Sequence, residues 1–301
     1  MLFNVQLKKI KSFYGYVRNY RRVNRFEAGH YHSPIPSSSE VDNVYSILTD
    51  KVEDIDFNFK NQIDILNEFL PFYKEVPWEF HDDSKNQKYR YKNWLSYYRD
   101  SDAIFLFSIM RKFRPTKIIE IGSGFSSALM LDTNDLFFKE EPIDFTFIEP
   151  NPDDRLSKMI TDTDRSKYKI LPKKIQDVDL SIFEELNEND ILFVDSSHVS
   201  KTGSDLNHII FNILPVLKKG VVIHFHDIFF PFEYPYTWVS KEQFYWNECY
   251  LIRAFLMNNE RYKIIFFNSA AHYYHKVYLQ ENMPNTLTDH IQCGAIWIRK
   301  Q

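Results

Sequence analysis

The sequence of 301 residues has few cysteines, no long apolar run and no excess of basic charge. Its two cysteines, Cys249 and Cys293, are too few for a disulfide framework, and their spacing matches no zinc motif. No apolar stretch reaches the length of a transmembrane helix, and the first residues lack the apolar core of a signal peptide. The net charge of −4 argues against general affinity for nucleic acid. These absences predict a cytoplasmic protein without a nucleic-acid partner.

Basic charge is nevertheless concentrated at the N-terminus. Seven cations precede the first acid, Glu27, with aromatic residues interleaved; the cations are Lys8, Lys9, Lys11, Arg18, Arg21, Arg22 and Arg25. One interpretation is a solvated helix that packs on the acidic body. Another is a peripheral contact between residues 1–25 and anionic lipid or a partner, which would place the protein at the inner face of the membrane. A third interpretation is an organelle-targeting peptide, and the sequence leaves all three open.

Strands and helices are predicted to alternate from residue 117 onward. The central predicted strands are nearly continuous apolar runs, as expected of strands with both faces buried; they cover residues 117–121, 190–195 and 221–227. The alternation predicts a doubly wound α/β fold with a mostly parallel sheet. We expect residues 96–301 to form this domain, preceded by a basic helical extension with a proline loop over residues 1–95.

Two further elements are predicted near the C-terminus. A long helix is expected over residues 241–258. The sixth strand, 262–267, is expected to join a last strand, 294–299, without an intervening helix, as in a hairpin.

The end of the first strand carries the clearest ligand-binding pattern. Gly122 and Gly124 remove side chains where backbone must approach a ligand. Ser126 or Ser127 can cap the next helix, whose N–H groups then point at the pocket. The second strand ends at Glu149, an acid that can accept both ribose hydroxyls of an adenosine ligand.

The run Glu120-Ile-Gly-Ser-Gly124 resembles motif I of class I S-adenosylmethionine (SAM) methyltransferases, and the resemblance covers roughly residues 96–301. It implies a seven-stranded sheet with an antiparallel last strand. It also implies that Glu120 orients the methionine end of SAM, that Glu149 binds the ribose, and that Gln176-Asp177 faces the adenine.

Two alternatives come from different classes of protein. An NAD(P)-dependent oxidoreductase of similar fold is disfavoured, because Ser127 stands where the dinucleotide motif has its third glycine. A non-catalytic scaffold is disfavoured because the cofactor-binding residues are present together with Asp195 and His198.

Two adjacent central strands end in acids and histidines, Asp195-Ser-Ser-His198 and His226-Asp227. Asp195, His226 and Asp227 are predicted to bind Mg²⁺ or another divalent cation. The alternative is a hydrogen-bonded network in which Asp195 contacts the SAM amine. The layout resembles metal-dependent O-methyltransferases that act on sugars and related hydroxylated substrates. His226 departs from the Glu usual there, which weakens the case for Mg²⁺ and leaves a softer cation or no metal as alternatives.

His198 is the candidate general base, and Asp195, three residues earlier, is also predicted to be catalytic. A hydroxyl acceptor has a high pKa, so a base of near-neutral pKa must take its proton as the methyl group arrives. Lys201 is the alternative base, if desolvation lowers its pKa. The resemblance implies O-methylation of a sugar, a glycan or another small hydroxylated metabolite. Other oxygen chemistry is a further alternative, and the sequence specifies neither the acceptor nor the oligomeric state.

Overall fold

A computed structural model describes residues 25–93, 96–287 and 293–301, and a seven-stranded sheet lies within these ranges. Its strands are β1 (Lys117–Ile121), β2 (Asp144–Ile148), β3 (Lys169–Leu171), β4 (Ile191–Val194), β5 (Val222–His226), β6 (Tyr262–Phe267) and β7 (Ala295–Lys300). The strand order is β3-β2-β1-β4-β5-β7-β6. Strands β1 to β5 pair in parallel, and β7 is antiparallel to both β5 and β6. The predicted fold class and the antiparallel last strand are therefore confirmed.

The described ranges contain eleven helices, apart from short 3-10 turns. They are α1 (Ser38–Ile47), α2 (Phe59–Tyr73), α3 (Ser101–Phe113), α4 (Phe125–Phe137), α5 (Asp162–Lys167), α6 (Ser181–Glu184), α7 (205–216), α8 (Tyr236–Ser240), α9 (Glu248–Leu256), α10 (Asn268–Tyr274) and α11 (Lys276–Asn282). Helix α7 contains a π-helical segment, Ile209–Ile213, between two α-helical ends. Across the parts of the chain that the structure describes, no helix is long and apolar enough to span a membrane.

The chain divides into two compact units. The first contains the described residues up to Thr49 together with Pro235–Tyr245, and therefore α1 and α8. Within it, the Tyr236 hydroxyl donates a hydrogen bond to Asp42 Oδ1 at 2.9 Å. The second unit contains the sheet and the remaining helices. Apart from Arg25, the predicted basic membrane contact lies outside the described residues.

The core of the second unit lies between the sheet and its helices. Every residue of β4 and β5 is buried, as expected when helices cover both faces of a parallel sheet. Helix α3 is buried from Ser101 to Met110, and it packs against α2 and α4. This buried core positions the strand ends from which the candidate site is built.

Two predictions about the C-terminal part are wrong. Helices α10 and α11 lie between β6 and β7, so these antiparallel strands are not joined as a simple hairpin. The predicted helix 241–258 is helical only from Glu248 to Leu256. Residues 241–245 of the predicted helix belong to the other compact unit. The Asn247 side chain forms hydrogen bonds with the backbone of Ser200. Long-range contacts therefore override the local helical pattern.

Candidate functional site

A cavity of about 410 Å³ opens at the carboxyl ends of β1, β2 and β4. Five sequence-predicted residues line it, namely Gly122, Glu149, Gln176, Asp195 and Lys201. Strand β1 lies between β2 and β4: the chain continues to one side of it through β2 and β3, and to the other side through β4 and β5. Ligands of open α/β sheets bind at such a switch point.

Gly122 brings the ends of β1 and β4 together. Its φ of +81° lies in the left-handed region, and a Cβ atom there would stand 1.7 Å from the Asp195 carbonyl oxygen. The Gly122 N–H donates to the Ile148 carbonyl at 3.0 Å. Any side chain at this position would separate the strand ends, so the glycine is a requirement of the turn as well as of ligand access.

Glu149 and Gln176 occupy the turns after β2 and β3. Glu149 accepts backbone hydrogen bonds from Asn151 at 2.9 Å and from Ser123 at 3.4 Å. A carboxylate has about four acceptor positions, so it can still accept two hydroxyls. The Gln176 amide donates to the Gly203 carbonyl at 2.8 Å, which ties two cavity walls together.

The other seven predicted residues do not line this cavity; they are Glu120, Gly124, Ser126, Asp177, His198, His226 and Asp227. Glu120 is completely buried and accepts hydrogen bonds from the Ser126 and Ser127 hydroxyls. Ser126 thus bonds Glu120 rather than a ligand. A Cβ atom at Gly124 would lie 2.7 Å from the Arg155 guanidinium, and Asp177 is solvent-exposed. Arg155 itself lines the cavity and was missed by the sequence analysis.

Two buried histidines, His198 and His226, contact four acids, one of which is Asp195. His198 Nε2 lies 3.4 Å from Asp195 Oδ1 and 3.5 Å from Asp227 Oδ2, while its Nδ1 lies 2.7 Å from Glu248 Oε2. His226 Nδ1 lies 3.5 Å from Asp195 Oδ1 and 3.7 Å from Asp227 Oδ2. On its other side, His226 Nε2 lies 3.7 Å from Asp102 Oδ2. Each imidazole therefore lies between carboxylates.

The surrounding carboxylates favour the charged form of both imidazoles. Burial disfavours the charged form of His198, but hydrogen bonds to Asp195 and Glu248 outweigh it and raise its pKa to about 10. The pKa of His226 is likewise raised, against burial, by the charges of Asp227 and Asp195. Such a His198 is protonated at neutral pH, which corrects the expectation of a near-neutral pKa.

Among the described residues, one group of side chains could hold a metal ion, and it differs from the predicted group by one histidine. Donor atoms of Asp195, His198 and Asp227 all lie within 4.8 Å of one another. In this set His198 takes the place predicted for His226, whose Nε2 faces Asp102. Two carboxylates and an imidazole suit Mn²⁺ or another borderline cation better than Mg²⁺.

The sequence analysis missed Asp102 and Glu248. Asp102 lies in the first turn of α3, where it also accepts hydrogen bonds from Asn268 and Cys293. Glu248 is the first residue of α9. Neither acid belongs to a local motif with the residues it contacts, and no spacing signal in the sequence could have identified it.

Comparison with known proteins gives one matching family and one similar protein. Residues 119–228 match a protein family described as a methyltransferase domain. An uncharacterized protein of Archaeoglobus fulgidus is 33% identical over 218 residues, which cover 67% of this chain and 95% of that protein.

Solved structures with a similar fold include two methyltransferases. The SAH-bound methyltransferase PaMTH1 of Podospora anserina is 16% identical, with 90% of this chain and 99% of that chain covered and a TM-score of 0.42. The O-methyltransferase of Bacillus cereus in complex with SAH is 12% identical, with coverages of 87% and 97% and a TM-score of 0.40. Residues 119–228 thus match a methyltransferase domain, and the strand order and the glycine turn after β1 are those of the class I SAM-dependent methyltransferase fold.

Proposed function

We propose that the protein transfers a methyl group from SAM to a hydroxyl oxygen of a small metabolite, sugar or glycan. The observation that carries the proposal is the cavity lined by Glu149, Gln176 and Asp195, with His198 only 3.4 Å from Asp195. One side of this arrangement suits an adenosine ligand, and the other offers an imidazole for an acceptor proton. SAM supplies an electrophilic methyl group on a sulfonium centre.

The residues of the cavity have complementary roles in this proposal. Glu149 accepts the ribose hydroxyls, and Gln176 contacts the adenine. Asp195 faces the cationic part of SAM, since a carboxylate stabilises a neighbouring positive charge. Arg155 is a candidate for the methionine carboxylate, because a guanidinium matches that group with two parallel hydrogen bonds.

His198 Nε2 is the proposed proton acceptor. As the acceptor oxygen attacks the methyl group, its proton passes to Nε2 and the sulfonium is released as the neutral thioether of SAH. Because His198 is protonated at neutral pH and only the neutral imidazole can accept this proton, turnover should rise as the pH approaches the His198 pKa of about 10. The His198→Ala variant should lose turnover by roughly 10²–10⁴-fold, as is typical when a general base is removed. Near-normal turnover in that variant, with collapse in Lys201→Ala, would transfer the role to Lys201.

A divalent cation bound by Asp195, His198 and Asp227 is the second arrangement of the same site. The proximity of the three donor atoms favours it, and a cation would lower the pKa of a bound hydroxyl. The two arrangements exclude each other at His198, because one nitrogen cannot bind a metal and accept a proton. Loss of transfer in EDTA and recovery with Mn²⁺ or Mg²⁺ would favour the cation, and full activity after exhaustive chelation would exclude it.

Calorimetry with SAM and SAH is the experiment that tests the proposed function. The wild type should bind both, and Glu149→Ala should weaken binding by roughly 10–100-fold, because a hydrogen bond to a charged group contributes about 1.5–3 kcal/mol. Asp153→Ala is the matched control, since this exposed acid in the same turn does not line the cavity. Binding of NADH without SAM would contradict the proposal. Labelled SAM in a cell extract, followed by mass analysis, would then identify the acceptor.

A further inference from the structure

The beginning of α9 holds the loop that follows β4. The backbone N–H groups of Asn247 and Glu248 both donate to the His198 carbonyl, at 3.1 and 3.2 Å. The Asn247 side chain accepts from the Ser200 N–H at 2.6 Å and donates to the Ser200 carbonyl at 3.2 Å. Four hydrogen bonds thus connect the start of α9 to residues 198–200, which lie about fifty residues earlier in the chain.

Glu248 adds a charged contact at the centre of this connection. It is 1% exposed, and its Oε2 lies 2.7 Å from His198 Nδ1. Its Oε1 is buried without a hydrogen-bond partner among the described residues. A carboxylate that is so poorly solvated is costly unless an opposite charge balances it. The His198 imidazole lies closer to it than to the other two acids that it faces.

This contact fixes the direction of the imidazole. The two ring nitrogens point in different directions, so a hydrogen bond at Nδ1 determines where Nε2 lies. With Nδ1 at Glu248, Nε2 faces Asp195 and Asp227 at 3.4 and 3.5 Å. The Trp246 ring also packs on the imidazole, with centroids 4.4 Å apart. His198 has a φ of +59°, a backbone conformation that a non-glycine residue keeps only when its surroundings hold it.

We infer that Glu248 is a positioning residue, whose carboxylate holds His198 Nδ1–H so that Nε2 faces Asp195 and the reacting groups. The inference deepens the proposed function and rests on it for the consequences for turnover. The hydrogen bond itself can be measured without any assumption about the reaction. Glu248 does not line the cavity, so its role is distinct from that of the SAM-binding residues.

The first test is NMR of protein with ¹⁵N-labelled histidine. The wild type should give a downfield, slowly exchanging ring N–H resonance, which is assigned to His198 by its loss in His198→Ala. The resonance should disappear in Glu248→Leu and shift in Glu248→Gln, which keeps an acceptor but removes the charge. The control is Leu256→Ala, another buried position of α9, which should lower stability and leave the resonance unchanged. An unchanged resonance in Glu248→Leu would overturn the inference.

The second test is a double-mutant cycle on methyl transfer. Glu248→Leu should lower kcat by about 10–100-fold, the range for residues that orient a functional histidine, with Glu248→Gln intermediate and the KM for SAM unchanged. In the His198→Ala background, Glu248→Leu should cause no further loss, because a residue that acts only through His198 has nothing left to orient. Additive losses would show a general structural role and contradict the inference. If the wild type transfers no methyl group, the proposed function fails, and the NMR result alone decides whether Glu248 orients His198.

Discussion

Gly122 and Gly203 provide a matched pair of positions at the same cavity. Both have positive φ, +81° and +74°, but a Cβ atom at Gly203 would have no atom within 4 Å. Gly203→Ala should therefore cost about 1–2 kcal/mol of stability, the penalty of the left-handed conformation. Gly122→Ala should cost more and abolish SAM binding, because the new methyl group collides with the Asp195 carbonyl. Chemical denaturation and calorimetry would measure both effects, and equal losses in the two variants would contradict this account of the turn.

Glu120 predicts a pH dependence of stability. Burial raises its pKa to about 8 from an ordinary value of 4.5, although hydrogen bonds from Ser126 and Ser127 lower it. An acid with a raised pKa binds its proton more strongly in the folded state, so folded stability decreases as the pH rises from about 4.5 to about 8. The Tm of the wild type should therefore fall relative to that of Glu120→Gln over this range. Thermal unfolding of both proteins at constant ionic strength tests this, and parallel curves would contradict it.

Some of the site could be read from the sequence because its residues follow strand ends. Gly122, Glu149 and Asp195 each come directly after an apolar run, and parallel strands bring their carboxyl ends to one edge of the sheet. Asp102 and Glu248 could not be found in this way. They reach the histidines from the starts of two helices that are distant in sequence, and only the tertiary packing brings them there.

At the scale of secondary-structure elements, Arg90 connects the loop before α3 to helices α4 and α5. Its guanidinium lies 2.9 Å from Asp132 and 2.8 Å from Asp135 in α4, and it makes two hydrogen bonds to Asp164 in α5, at 2.7 and 2.8 Å. The side chains of Asp132 and Asp164 are 5% and 4% exposed, so they would remain buried without a cation if Arg90 were removed.

Arg90→Met should therefore destabilise the protein by about 3–5 kcal/mol, the cost of leaving a buried charge unpaired. The control is Arg114→Met, because Arg114 is half exposed and its contact with Glu141 is 3.4 Å long. This control should change stability by about 1 kcal/mol or less, as surface ion pairs do. Urea denaturation of the two variants measures the difference, and similar losses would show that the Arg90 contacts contribute little.

The sequence predicted elements well where burial alone determined their pattern. The apolar runs of β1, β4 and β5 identified these strands, because each is buried on both faces. Prediction failed between β6 and β7, where α10 and α11 have only seven residues each. Such short helices show too few turns for a periodic apolar pattern to distinguish them from a loop.

For the whole molecule, the strand order explains why the cavity and the cluster of histidines and acids are neighbours. The order β3-β2-β1-β4-β5 places Gly122 after β1 and Glu149 after β2 in the same cavity as Asp195 after β4. Strand β5 then brings His226 to 3.5 Å from the same acid, and Asp227 after it lies within 4.8 Å of that acid. The antiparallel β7 lies on the far side of β5. Dinucleotide-binding folds instead continue their parallel order past the fifth strand, which separates this chain from the oxidoreductase alternative.

The uneven distribution of charge carries a prediction for the whole chain. Seven cations precede the first acid, whereas the complete sequence has a net charge of −4, so the remainder is more acidic than the total. Cations near an anionic lipid surface each contribute about 1 kcal/mol, and salt screens this attraction. We propose that residues 1–25 bind such a surface. Deleting them should abolish co-sedimentation with phosphatidylserine vesicles at low salt. SAM affinity should stay unchanged, because the proposed SAM-binding residues lie between Gly122 and Asp195. The control is the full chain with neutral phosphatidylcholine vesicles, which it should not bind. Failure of the full chain to bind anionic vesicles at low salt would refute the proposal.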